Sequence, residues 1–206
     1  MTTPQRLIVG ISGASGVIYG VRLLQALAPM PVETHLVVSP AAEKTLALET
    51  AFKLAEVRDL ADVWYPAADI AAAPSSGSYR TLGMVIAPCS MRSLAEIATG
   101  TSTSLLTRAA DVVLKERRRL VLMVRETPLH AGHLRNMLTV AELGGIIAPP
   151  VPAFYARPES IEDLVRQSVG RVLDLFDLNT GEVIRWGEAP ADGSRPIRAV
   201  KGAKRR

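Results

Sequence analysis

Apolar and polar positions alternate along this chain in two different rhythms. Residues 6–11, RLIVGI, form a short unbroken apolar run of the kind that makes a buried strand. Beyond the small-residue stretch SGASG, Val17, Tyr19, Val21, Leu23, Leu24 and Leu27 recur at helical spacing. The same exchange repeats downstream. ETHLVVS (33–39) predicts a second strand, and PAAEKTLALET (40–50) a helix with Pro40 in its first turn. Residues 52–80 lack a clear period and read as a looser region tipped by PSSGS. LGMVIAPCS (82–90) predicts a third strand, and LLTRAADVVLKERR (105–118) a helix with its basic residues toward the C-terminal end, where they suit the helix dipole. RLVLMVRETP (119–128) predicts a fourth strand. LHAGHLRNMLTVAEL (129–143) predicts a helix ended by Gly144 and Gly145. GIIAPPVPAF (145–154) is a short strand running into a proline loop, and SIEDLVRQSVGRVLDLF (160–176) a last helix capped by Ser160 with Asp163 at the capping-box position.

Strands alternating with helices predict an α/β fold, a parallel sheet with helices on both faces in a single domain. Such sheets bind ligands at the carboxyl ends of their strands. Polar residues follow all four long strands: Ser12 to Ser15, Ser39, Cys89-Ser90, and Arg125-Glu126. A shared anionic ligand explains that coincidence better than ordinary loop polarity. The first turn has two readings. Glycines and serines ahead of a helix start can cradle a phosphate, because the first helical N–H groups have no partner in the chain. The plainer alternative is a strand-to-helix turn with a serine cap. The stretch is neither a Walker loop, since no Lys-Ser/Thr follows Gly16, nor a G-x-G-x-x-G fingerprint, since Ser12 takes the second glycine's place.

Composition narrows the picture. The 206 residues suffice for one domain with a substantial core. They are 48% hydrophobic but 4% aromatic, so the core is aliphatic. A mean hydropathy of +0.20 is high for a soluble chain and points to apolar surface covered by other subunits. No stretch is long and uncharged enough to predict a membrane span, and no signal-peptide layout precedes the first strand, so a cytoplasmic location is expected. Cys89 is the only cysteine, which excludes a disulfide framework and a cysteine metal cluster. The pI near 9.5 suggests nucleic-acid binding only until the charge is located. From Arg195 onward the chain has six basic residues and no acid, against a net +4 overall, so the body is mildly acidic. Residues 191–206 read as a solvated, disordered tail after a domain of residues 1–190, and no nucleic-acid partner is expected.

Several side chains could carry chemistry. Arg125 and Glu126 close an apolar strand: either a surface ion pair, or a guanidinium delivered into the crevice for a phosphate. Tyr155 sits in a proline-framed loop, packed on the sheet edge or fixed over a ligand. Arg171 lies inside the last helix and is either a snorkelling arginine or a phosphate ligand. Glu49 ends a helix, where the dipole disfavours a carboxylate. His35, His130 and His133 lack metal-ligand spacing and read as surface or packing residues.

In order, GISGASG, LALET, APCSM, TRAADVVLKERR, LVLMVRETPLH, PPVPAFY and a late RWG make the chain resemble the UbiX-type flavin prenyltransferases from about Arg6 to Trp186. The resemblance implies a three-layer Rossmann-like or flavodoxin-like sandwich that binds FMN and assembles as a homododecamer. It implies transfer of a dimethylallyl group from dimethylallyl phosphate to N5 and C6 of reduced FMN, with prenylated FMN passed to a UbiD-type decarboxylase. That family was long labelled as decarboxylases itself. The flavin-binding positions so implied are Gly13, Ala14 and Ser15, then Ser39, then Ser90, Met91, Arg92 and Ser93, and Arg125. Tyr155 and Arg171 match residues that hold the prenyl phosphate. Lys115 and Arg108 match basic residues that reach that site, from the same or a neighbouring subunit, and Trp186 matches an aromatic near the allyl group. Glu49 and Glu126 match active-site carboxylates, and with Ser15 and Lys115 complete the implied catalytic set. Cationic and hydroxyl groups holding a monophosphate leaving group, with no acidic metal motif in the chain, imply a metal-independent reaction. Two other activities remain: an FMN-carrying electron-transfer protein, and an FMN-dependent peptidyl-cysteine decarboxylase. The latter group carries a catalytic histidine and a PASANT-like motif where this chain has APCSM.

Overall fold

In the computed structural model, which describes residues 5–188, six parallel strands form one sheet in the order β3-β2-β1-β4-β5-β6. They are β1 (Gln5–Ile11), β2 (Val32–Val38), β3 (Val63–Pro66), β4 (Gly83–Cys89), β5 (Arg119–Val124) and β6 (Ile146–Ile147). The helices are α1 (Ile18–Leu27), α2 (Pro40–Glu49), α3 (Leu54–Asp59), α4 (Met91–Thr99), α5 (Leu105–Lys115), α6 (Ala131–Glu142) and α7 (Ile161–Asp174). The expected domain limit at residue 190 and the basic tail 191–206 lie outside the described residues.

Alternation along the strands builds two aliphatic cores. Leu7, Val9 and Ile11 of β1 face one side with Val85 of β4 and Val121 and Met123 of β5, under α1, α2, α3 and α7. Ile8, Met84, Ile86, Leu120 and Leu122 face the other side, under α4, α5 and α6. The expected α/β sandwich with helices on both faces is therefore observed, and its strand order is the Rossmann one. That order reverses between β1 and β4, which opens a crevice above their carboxyl ends.

The chain is locked at this point. The β4–β5 register shifts between Ile86 and Cys89, and Pro88, within that shift, presents its carbonyl to β1. It accepts from the Ser12 N–H at 3.2 Å and from Ser12 Oγ at 2.9 Å. Ser12 Oγ in turn accepts from Ser90 N–H at 2.7 Å. On the opposite face Gly20 lets α1 ride close to the sheet. A Cβ there would lie 2.5 Å from the Ala87 carbonyl oxygen and 2.7 Å from Ile11 Cδ1.

Two stretches differ from the sequence expectation. The looser region contains α3 and the edge strand β3, held on β2 by the Asp62 carboxylate, which accepts from Thr34 N–H at 2.7 Å and Thr34 Oγ1 at 2.8 Å. β3 is four residues long and half-exposed, too short and too polar in its surroundings to show a period. α4 likewise lies outside the elements that the sequence pattern predicts. It is nine residues long, begins on the Ser90 cap and ends at Gly100, whose φ of 69° is left-handed.

Candidate functional site

Three parallel strands deliver their following residues to one crevice of ≈ 320 Å³, within the usual range for a small-molecule site. Gly13 after β1, Ser39 after β2, and Ser90, Arg92 and Ser93 after β4 line it. Ser39 caps α2, its Oγ accepting from Ala42 N–H at 3.1 Å. Ser90 caps α4, its Oγ accepting from Ser93 N–H at 3.2 Å. The first turns of both helices thus aim their remaining N–H groups and dipoles at one space. Ser93 is buried, Met91 is half-buried against the α4–α5 core, and Arg92 is exposed and bonded to Glu96 at 2.9 Å. The sequence reading missed the opposite wall, where Thr103, Ser104 and Thr107 join Glu96. The run TSTS at 101–104 was the available signal. Burial tends to raise the Glu96 carboxyl, but bonds from Thr103, Arg92 and Thr107 outweigh it and hold it below its ordinary range.

The glycine loop behaves differently from a bare cradle. Ser12 is 1% exposed and its hydroxyl is consumed by Pro88 and Ser90, so it is a staple between strands. Gly13 is needed for packing, since a Cβ would fall 2.3 Å from Ala41 Cβ. Ala14 is half-buried, and Ser15 is exposed at the tip. Glu49 reaches across from the end of α2: its carboxylate accepts from Gly16 N–H at 2.8 Å and Val17 N–H at 3.2 Å. The acid that opposes its own helix dipole therefore completes another helix's start. Gly16 itself has a φ of 98°, which only glycine adopts without strain. Arg125 continues the β4–β5 pairing through its N–H to the Cys89 carbonyl at 3.1 Å and emerges, exposed, beside Ser90. Glu126 follows it, its carboxylate accepting from Thr127 N–H at 3.0 Å. Burial pushes the Cys89 thiol far up, so it is no nucleophile at neutral pH.

A second cluster forms on the other side of the sheet, against α7. Tyr155, in a short 3₁₀ turn, meets the Trp186 ring edge-on at 5.7 Å. Its hydroxyl oxygen accepts from Gln167 Nε2 at 3.3 Å. Arg171 donates to Asp174 at 2.7 Å, and Arg185 grips the same carboxylate through both of its terminal nitrogens, at 2.8 and 2.7 Å. Arg185 first, with Arg171, holds the Asp174 carboxyl below its ordinary range. A hollow of ≈ 210 Å³ bounded by Met123, Pro149, Val151, Gln167 and Arg171 adjoins this cluster. Tyr155, Arg171 and Trp186 are thus grouped, as the substrate-side residues of the sequence reading. Gln167, Asp174 and Arg185 lie beyond the sequence expectation, because each takes its place from partners on the 184–186 segment or on α7 that leave no local signal.

Lys115 and Arg108 join neither group within one chain. Lys115 ends α5 at the amino-terminal edge of the sheet, paired with Glu116. Arg108 is bonded to Asp111 at 2.8 Å.

Comparison with known proteins gives the chain its family. The family described as Flavoprotein matches residues 1–173. The flavin prenyltransferase UbiX of Escherichia coli (strain K12) is 62% identical over 185 residues, covering 88% of this chain and 98% of that protein. A crystal structure of AnUbiX (PadA1) in complex with FMN and dimethylallyl pyrophosphate superposes with a TM-score of 0.89 at 53% identity, over 90% of this chain and 99% of that one. A dodecameric FMN-dependent UbiX-like decarboxylase from Escherichia coli O157:H7 superposes with a TM-score of 0.87 at 51% identity, over 89% of this chain and 100% of that one. The chain therefore belongs to the flavoprotein family and, within it, to the flavin prenyltransferases of the UbiX type.

Proposed function

We propose that this protein joins the dimethylallyl group of dimethylallyl phosphate to N5 and C6 of reduced FMN, and releases prenylated FMN to a UbiD-type decarboxylase. One observation carries the reading. The chain has two distinct sets of phosphate-compatible groups: serine hydroxyls and helix-start amides in the crevice, and Tyr155 with Arg171 of α7 and the neighbouring Arg185. A flavoprotein that only carries electrons needs the first set alone.

The crevice fits the phosphate end of FMN by its donor set, which is hydroxyls, backbone amides and a guanidinium at the rim. Gly13, Ala14, Ser15, Ser39, Ser90, Met91, Arg92, Ser93 and Arg125 would hold it. When bound, reduced FMN supplies an electron-rich ring that attacks the allylic carbon as its bond to phosphate breaks. Lys115, Arg108, Arg125, Tyr155 and Arg171 would take the leaving phosphate through charge-assisted hydrogen bonds, the protein's main contribution to the barrier. The Trp186 face would stabilise positive charge on the allyl group. Ring closure releases a proton, and Glu49, Glu126 or the departing phosphate accepts it.

Completing this site takes more than one copy of the chain. The crevice belongs to the α4–α5 side, the Tyr155 cluster to the α7 side, and Lys115 to the opposite edge of the sheet. We therefore place the active site between subunits of a homo-oligomer, and take the dodecamer of the Escherichia coli O157:H7 relative as its form. No helix among the described residues is long and apolar enough to cross a membrane. A substrate that must stay reduced favours the cytoplasm.

Calorimetric titration of dimethylallyl phosphate into the FMN-loaded protein tests the proposal. Saturable binding at one site per FMN is expected. No binding would leave the electron carrier as the better reading.

A further inference from the structure

Gln167 is 6% exposed and lies on α7 away from the Val165 and Val169 stripe, beneath Ile184. Its amide is fully committed. Oε1 accepts from the Ile184 N–H at 3.0 Å, and Nε2 donates to the Ile184 carbonyl at 2.9 Å. This backbone pair fixes which end of the amide is oxygen and which is nitrogen, because the reverse orientation would oppose two donors and two acceptors. The second Nε2 hydrogen is left for the Tyr155 hydroxyl oxygen, at 3.3 Å. Tyr155 is thereby made an acceptor on its inner side, and its own O–H hydrogen must point away from Gln167.

We propose that Gln167 is a positioning residue for prenyl transfer: it turns the Tyr155 O–H outward, as the donor to the phosphate of the allylic substrate. The inference rests on the reading of Tyr155 as a phosphate ligand. The same amide clamps Ile184, next to Arg185 and Trp186, so one side chain sets both the hydroxyl and the indole that meets Tyr155 edge-on at 84°. A donor of fixed polarity suits this place. A carboxylate would accept the Tyr155 hydrogen and pull it inward, and an apolar side chain would let the hydroxyl rotate.

Steady-state kinetics of Gln167→Glu, Tyr155→Phe and the double variant test this in FMN-saturated enzyme. Gln167→Glu is nearly isosteric and keeps the acceptor for Ile184 N–H. It should raise the KM for dimethylallyl phosphate roughly tenfold, as expected for losing a hydrogen bond to a charged group, with FMN affinity unchanged. The rise should shrink at acid pH, as the introduced carboxyl regains a proton and with it a donor. In the Tyr155→Phe background the same substitution should add less than about twofold, because the hydroxyl it orients is gone. Gln167→Met, which lacks any donor, should repeat the pattern should the Glu variant fold poorly. An unchanged KM in Gln167→Glu, or an equal effect with and without the Tyr155 hydroxyl, would overturn the inference and leave Gln167 as a support for the 184–186 segment. If Tyr155→Phe itself leaves the KM unchanged, the phosphate reading of Tyr155 fails, and the inference with it.

Discussion

Two residues at the first turn show why a motif read from sequence needs its partners. Ser12 looked like a ligand hydroxyl, yet the structure spends it on Pro88 and Ser90. Ser12→Ala leaves the half-buried Ser90 N–H without its partner and the Pro88 carbonyl with only the residue-12 N–H, at the point where β1 meets β4. It should lower stability by about 1–3 kcal/mol, read from urea unfolding. Glu49 looked like an acid set against its helix dipole, and that anomaly had a physical cause: its carboxylate is the cap that α1 lacks. Glu49→Ala should cost about 0.5–2 kcal/mol in the same assay, and Glu49→Gln much less, since the amide oxygen still accepts. A Gln variant that keeps its stability but turns over slowly would assign Glu49 the proton-accepting role in ring closure. The sequence displayed both residues but not their bonds, because each partner lies 32 to 78 positions away along the chain.

At the scale of elements, the long apolar strands and amphipathic helices were legible because one period dominates each. β3 and α4 were not. β3 is an edge strand held by Thr34 and Asp62 and by pairing to β2, interactions that leave no local period. α4 is signalled mainly by its termini. The packing of α1 was legible only as a glycine among apolar residues. Gly20→Ala would push a methyl into the Ala87 carbonyl and Ile11, and should destabilise by about 1–3 kcal/mol in thermal unfolding. β2 also carries a titrating group into the core. His35 is 1% exposed, with Nε2 on Glu33 at 2.7 Å, Nδ1 on the Tyr65 hydroxyl at 3.0 Å, and Tyr79 and Arg6 alongside. Burial pushes its imidazole below the ordinary value, outweighing the pull of Glu33. The unfolded chain takes up that proton near pH 6.5 while the folded chain resists it. Stability should therefore fall as pH drops below about 6.5, and level off once the folded imidazole also titrates. His35→Gln should flatten that limb of a urea-midpoint profile measured at fixed protein concentration.

For the whole molecule, the high mean hydropathy finds its place on the surface. Leu134 and Leu138 stand one turn apart on α6, 53% and 58% exposed, with Leu129 and Leu143 near them in sequence. A solitary domain has little use for such a face, and we place a subunit contact of the proposed assembly on it. Leu138→Lys should reduce the assembly in sedimentation velocity and lower prenyl transfer, while circular dichroism stays that of a folded α/β protein. The resemblance left open whether Lys115 reaches the site from the same or a neighbouring subunit. It grouped Lys115 with Tyr155 and Arg171, and the fold keeps Lys115 apart from the other two within a single chain.

Everything turns on whether the bound flavin is itself the acceptor of the allyl group. Mass spectrometry of the flavin, after anaerobic incubation of the protein with reduced FMN and dimethylallyl phosphate, measures this directly. The flavin should gain the mass of one five-carbon unit, with one inorganic phosphate released for each. Flavin recovered at its original mass from protein that has bound both compounds would contradict the account.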